Sequence, residues 1–203
     1  VRMRNKLMIQ LERNLKVDPD LILAVMIHRI SEQKGFQLLL ESSEGIIKNL
    51  DFQIIAGGSV SAGDTRGEGI AHGLYLLSQY FPDRCNVSFG YQDVSTPLLS
   101  CDYFLMPSMH EPGGISQLEA MAAGCPVIAR ATGGLRDTIK PVSGTGSNVE
   151  GYGFLFSDFS PWSFYDAMDR ASHFFKNSDE ETFATIRENA EKAAYYWDKP
   201  AKE

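Results

Sequence analysis

Six short apolar runs recur along this chain from Leu21 onward, with helix-period segments between them, and that alternation leaves few folds open. Leu21 to Ile27 reads Leu-Ile-Leu-Ala-Val-Met-Ile, unbroken by any polar residue, as a strand covered on both faces by helices must be. Further strands are expected at Phe52 to Ala56, Asn86 to Phe89, Tyr103 to Met106, Val127 to Ala129 and Phe154 to Phe156. The spacing predicts a helix from Gly35 to Lys48, with Phe36, Leu39, Leu40 and Ile47 on one side, and helices over Pro161 to Lys176 and Asp179 to Trp197. Ser59 to Gly69 reads as a flexible loop before a helix that runs through Tyr80, and Val1 to Asn14 as a surface helix. The expected architecture is α/β, a doubly wound, Rossmann-like parallel sheet, with residues 1–203 forming one domain.

Composition narrows the ligand class. The formal net charge of −7 opposes binding to nucleic acid or anionic membranes, so any phosphate must be held by a few local cations and amides. No apolar run approaches the ~20 residues of a bilayer span. Cys85, Cys101 and Cys125 are scattered and read as buried free thiols of a reducing cytoplasm. His28, His72, His110 and His173 lack metal-ligand spacing, and His72 and His173 read as structural. No metal and no cofactor is expected.

In an open α/β sheet the ligand crevice lies beyond the carboxyl ends of the strands. Three segments there carry chemistry. His28 to Gly35 follows the first strand and supplies Arg29 and Lys34, a planar donor fork and a point charge able to neutralise a diphosphate leaving group, although solvated surface cations look the same. Ser108 to Gly124 follows the fourth. Gly113 and Gly114 let backbone amides approach an anion where a helix is expected to begin, near Gly114. Ile115, Leu118 and Ala122 would then form an inward stripe with Glu119 at its edge, where ligand hydroxyls such as those of a ribose would satisfy the carboxylate; an exposed helix glutamate is the alternative. Glu111 precedes the helix, placed to accept sugar hydroxyls or stabilise charge at an anomeric carbon, or simply to complement the helix dipole. The third segment, Ala131 to Thr138, repeats the pattern with Gly133 and Gly134, so that one crevice would be lined with backbone amides from two strand ends.

Arg29 to Gly35 resembles the Ser-Arg-Leu-x-x-Gln-Lys-Gly element of bacterial glycogen synthases and plant starch synthases. Pro107 to Leu118 is similar to their Pro-Ser-x-x-Glu-Pro-x-Gly-x-x-Gln-Leu, and Thr132 to Thr138 to their Thr-Gly-Gly-Leu-x-Asp-Thr. The three occur in the family's order, and the likeness runs from about Asn5 to Trp197. It implies the C-terminal, nucleotide-sugar-binding lobe of a retaining GT-B glycosyltransferase, with the N-terminal acceptor domain absent from this chain. Carried over by position, Arg29 and Lys34 hold the donor diphosphate, Glu111 with the Gly113 and Gly114 amides engages the glucose, Glu119 contacts the ribose, Tyr91 lies beside the nucleobase and Thr132 sits near the phosphates. The implied reaction moves glucose from ADP-glucose or UDP-glucose to the non-reducing end of an α-1,4-glucan, without a metal, in the cytoplasm or, for a plant enzyme, the plastid. His110, Gly113 and Glu119 depart from the family's usual residues, which leaves the donor base open. The broader group of retaining GT-B transferases and a non-catalytic nucleotide-binding module are the alternatives. On its own the chain is expected to bind nucleotide with little or no transfer.

Overall fold

A computed structural model describes residues 1–194. At its centre lie β1 (Ile22–Ile27), β2 (Phe52–Gly58), β3 (Cys85–Phe89), β4 (Tyr103–Met106), β5 (Val127–Arg130) and β6 (Gly153–Phe156). All pair in parallel, in the order β3-β2-β1-β4-β5-β6, which is the doubly wound sheet the alternation predicts. Every residue of β1 is buried, and successive side chains feed opposite cores. Ile22, Ala24 and Met26 join Phe36 and Phe164 on one face; Leu23, Val25 and Ile27 join Ile9, Met121 and Ala190 on the other.

Eight α-helices flank the sheet among the described residues: α1 (Arg2–Glu12), α2 (Phe36–Asn49), α3 (Thr65–Tyr80), α4 (Ser95–Ser100), α5 (Ser116–Ala122), α6 (Gly133–Thr138), α7 (Pro161–Asn177) and α8 (Glu180–Ala194). Local chemistry explains several starts. Pro161 opens α7, where its missing N–H costs nothing, and Ser160 Oγ accepts from the Ser163 amide at 3.2 Å. Asp179 Oδ1 accepts from the Thr182 amide at 2.8 Å just before α8. The expected continuation of that helix to Trp197 lies outside the described residues.

Three expectations need correction. The segment Ser59 to Gly69 is not all loop: α3 begins at Thr65, because Asp64 caps it by accepting from the Gly67 amide at 2.9 Å. The first helix lies on the surface as expected, with Met3, Met8 and Leu11 exposed, but one face of it is buried. Lys6 is 1% exposed, with Nζ 2.7 Å from Asp102 Oδ2 and 2.9 Å from the Pro19 carbonyl, and Gln10 bonds Gln53 Oε1 at 2.7 Å. Charged residues among apolar ones look solvated until a distant partner is found, and Asp102 is that partner. It also accepts from Arg187 Nη2 at 2.9 Å and the Leu23 amide at 2.9 Å, so α1, α8 and the sheet meet on one carboxylate. His72 and His173 are exposed on α3 and α7 rather than packed. The three cysteines are buried and free as expected, but they are not all scattered in space: Cys101 and Cys125 precede the adjacent strands β4 and β5, with sulfurs 2.8 Å apart.

Candidate functional site

The chain leaves β1 toward one edge of the sheet and leaves β4 toward the other, so a crevice opens between their carboxyl ends. The segments after β1, β4 and β5 converge there and interlock. Gly35 has φ +78, and a Cβ on it would overlap the Pro107 carbonyl oxygen; glycine is what allows the β1 segment to lie against the start of the β4 loop. Gly133, at φ +45, lies against the Glu111 carbonyl in the same way from the β5 side.

This packing joins two residues 77 apart in the sequence. Lys34 Nζ lies 2.6 Å from Glu111 Oε2, with side chains 18% and 10% exposed, and the buried Ser108 hydroxyl donates to the same oxygen at 3.2 Å. The ammonium has three donors, so two remain for an oxyanion arriving from the crevice. Arg29 stands exposed at the start of the same β1 segment.

Beneath this pair His28 is buried, edge-on to Phe104, with Nε2–H donating to the Leu105 carbonyl at 2.9 Å. Burial pushes its pKa down to about 4, and the nearby Lys34 charge acts in the same direction. The imidazole is therefore neutral at physiological pH.

Above it, the backbone of Met109, His110 and Glu111 is held from three directions. The Met109 carbonyl accepts from Arg130 Nη1 at 2.6 Å, the His110 carbonyl from Gln33 Nε2 at 3.0 Å, and the Glu111 carbonyl from the Gly134 amide at 3.0 Å. The Met109 amide donates back to the Gln33 carbonyl at 2.8 Å. Gln33 and Ser108 match letters of the motifs without being given a role by them, and Arg130 is not singled out by sequence at all. Arg130 was within reach of the criterion that singled out Arg29, a cation where a strand ends.

The remaining candidates are placed differently. Gly113 faces open space, whereas Gly134 packs on Gly113 and its amide is already used on the Glu111 and Pro112 carbonyls, so the second glycine pair serves loop packing rather than an open amide lining. Thr132 is half-buried and directly precedes α6. The helix after β4 starts at Ser116 rather than near Gly114, with Gly114 at φ +72 in the turn before it. The inward stripe is Gln117, Ala120 and Met121; Ile115 is 71% exposed and Ala122 is exposed. Leu118, expected inward, packs against the core with Ala120 and Met121, which leaves Ile115 and Glu119 on the outer face, and Glu119 is exposed rather than buried at the edge of a stripe. Tyr91, 96% exposed, follows Gly90 beyond β3, the outermost strand, and is not in contact with the Lys34–Glu111 pair. Beside it, at the ends of β2 and β3, lies an open cavity of about 550 Å³ bordered by Ser59, Val60, His72, Tyr75 and Phe89. Among the described residues no three His, Cys, Asp or Glu side chains are grouped to hold a metal ion, and no helix is long and apolar enough to cross a membrane.

Residues 9–192 match the family Glycosyl transferases group 1. The chain is 33% identical over 199 residues to a glycogen synthase of Desulfitobacterium hafniense, covering 97% of this chain and 40% of that protein. A glycogen synthase of Kosmotoga olearia is 33% identical over 201 residues, again 40% of its length. The chain thus spans about 40% of the length of the curated relatives it matches. Among solved structures, the catalytic domain of starch synthase IV from Arabidopsis thaliana, bound to ADP and acarbose, superposes with a TM-score of 0.83 at 26% identity, over 99% of this chain and 41% of that one. Sucrose-phosphate synthase from Thermosynechococcus elongatus shares the fold, with a TM-score of 0.69 at 21% identity over 98% of this chain and 47% of that one. With the family matched over nearly the whole chain, the chain belongs to the group 1 glycosyl transferases.

Proposed function

We propose that these 203 residues form the donor-binding lobe of a glycogen or starch synthase, and that the acceptor-binding half corresponds to the part of the relatives' length this chain does not span. The observation that carries the reading is the Lys34–Glu111 pair, set by Ser108 in the crevice at the switch point with Arg29 exposed beside it. A lysine with spare donors and a free guanidinium suit a diphosphate, and a fixed carboxylate beside open glycine backbone suits sugar hydroxyls. The curated glycogen synthases and the ADP in the Arabidopsis neighbour support the same donor class.

In this reading Arg29 and Lys34 hold the diphosphate of ADP-glucose or UDP-glucose, Glu111 and the Gly113–Gly114 backbone hold the glucose, Thr132 stands near the phosphates, Tyr91 covers the base and Glu119 reaches the ribose. Transfer breaks the bond from the anomeric carbon to the phosphate oxygen and forms one to an acceptor hydroxyl oxygen on the same face. The acceptor's proton passes to the departing diphosphate. Negative charge grows on that leaving group, so the two cations bind it more strongly in the transition state than in the ground state. The acceptor is an α-1,4-glucan, bound mainly by the other half, and the three buried thiols suit a cytoplasmic location.

Calorimetric titration of the chain with ADP, UDP, ADP-glucose and UDP-glucose tests the site and the base preference together. Binding of at least one is expected; no heat from any of them at millimolar concentration overturns the site assignment.

A further inference from the structure

Three consecutive carbonyls, those of Met109, His110 and Glu111, are each taken by a donor from a different neighbour, and two of the three donors are side chains. This is unusual bookkeeping for an exposed turn. Met109 and His110 are exposed, so water would satisfy their carbonyls at little cost and the turn would otherwise sample many conformations. Arg130 does more than bond one oxygen. It ends β5, donates through Nη1 to Met109 at 2.6 Å and through Nε to the Ser157 carbonyl at 3.0 Å, and its guanidinium lies 5.7 Å from the Phe159 ring centroid. The β4 loop is thereby braced against the loop that follows β6. Gln33 braces it from the other side, from the β1 segment.

We infer that Arg130 is a positioning residue for sugar recognition: it fixes the turn that aims Glu111 and the Gly113–Gly114 backbone into the crevice. The inference rests on the donor-lobe reading and adds to it a division of labour. Arg29 and Lys34 belong to the β1 segment, which Arg130 does not touch, and both cations stay within reach of the diphosphate even if the braced loop shifts, so the diphosphate loses less than the sugar. The glucose contacts all lie on the braced loop. A planar fork reaching two carbonyls in different loops is only partly replaced by a lysine, whose single nitrogen can reach one of them.

The experiment is calorimetry on the chain and its Arg130→Met and Arg130→Lys variants, each with ADP and ADP-glucose, or the uridine pair if the chain prefers it. Arg130→Met should weaken the sugar nucleotide about tenfold, as expected for losing a charged hydrogen bond that orders a binding loop, and leave the free diphosphate within about twofold. Arg130→Lys should recover part of the difference. Equal losses for the two ligands, or no loss for either, overturn the inference; an equal loss would place Arg130 on the diphosphate or in the general stability of the fold. Thermal melting checks folding, and should Arg130→Met fail to fold, Arg130→Gln, which keeps a neutral donor at the same place, must show the same selective loss. Lack of binding by the unaltered chain would instead sink the donor-site reading, so the two failures are told apart by which protein shows them.

Discussion

The centre of the crevice and its β3 edge are built in opposite ways. At the centre the segments after β1, β4 and β5 lock together through Gly35, Gly133 and a triply held backbone, with a buried histidine below and an ion pair within. At the edge Tyr91 stands almost wholly in solvent beyond Gly90, next to an open cavity. The Lys34 and Glu111 contacts are therefore in place before a ligand arrives, while Arg29 and the base end have to be ordered by the ligand itself. Preorganised contacts return more affinity per group than contacts that must first be immobilised.

If that contrast is real, substitutions at the centre disturb both fold and binding, and those at the edge disturb binding alone. The largest effect is expected from Lys34→Ala. It removes a diphosphate ligand and leaves the mostly buried Glu111 carboxylate unpaired, so affinity for ADP should fall more than tenfold and stability by about 3 kcal/mol in urea unfolding. A variant that loses affinity but keeps its stability would show that the pair is not part of the structural lock.

Acid should loosen the centre next. His28 stays neutral in the fold down to about pH 4, whereas in the unfolded chain it takes up a proton near its ordinary value of 6.5. Its contribution is complete above pH 6.5 and is lost as the pH falls toward 4; between 6.5 and 5 that amounts to about 2 kcal/mol. Urea unfolding across this range should show the slope, and His28→Gln should flatten it. An unchanged slope in the variant would mean that other groups carry the acid sensitivity.

Arg29→Ala, at the exposed end of the same segment, should lower diphosphate affinity by about tenfold without moving the unfolding midpoint, since no internal partner is lost. The smallest effect belongs to the edge. Tyr91→Ala should cost about 1 kcal/mol of nucleotide affinity, the worth of one stacked ring, with stability unchanged. A loss at Tyr91 as large as at Lys34 would erase the contrast and point to a base site as well formed as the rest.

The strands were legible from sequence because a buried parallel strand has no choice but to be apolar, and Leu21 to Ile27 or Tyr103 to Met106 could be little else. The helix starts at Pro161 and Asp179 were legible too, being local chemistry, whereas the cap from Ser160 was not singled out. What resisted reading was anything settled by a distant partner. Lys6 looks like a surface residue until Asp102 is brought to it, and Glu119 looks like the edge of a buried stripe until the strands choose the other face of α5. The same holds for the site: Lys34 and Glu111 were each visible in a motif, but their contact is made by loops packed on glycine. Arg130 stands where a strand ends, which sequence can show, but what it does there is hidden, because its partners are backbone oxygens, which sequence does not label.

The carboxylate of Asp102 links the first helix to the last, through Lys6 and Arg187. In synthesis α1 precedes Asp102 by nearly a hundred residues and Arg187 follows it by almost as many, so the three-way pairing closes only when all three segments are present. Such long-range closure is slow. Until then Lys6 is a cation beside an unfinished core, so any piece of this chain cut between α1 and α8 leaves to solvent a charge that the intact fold buries.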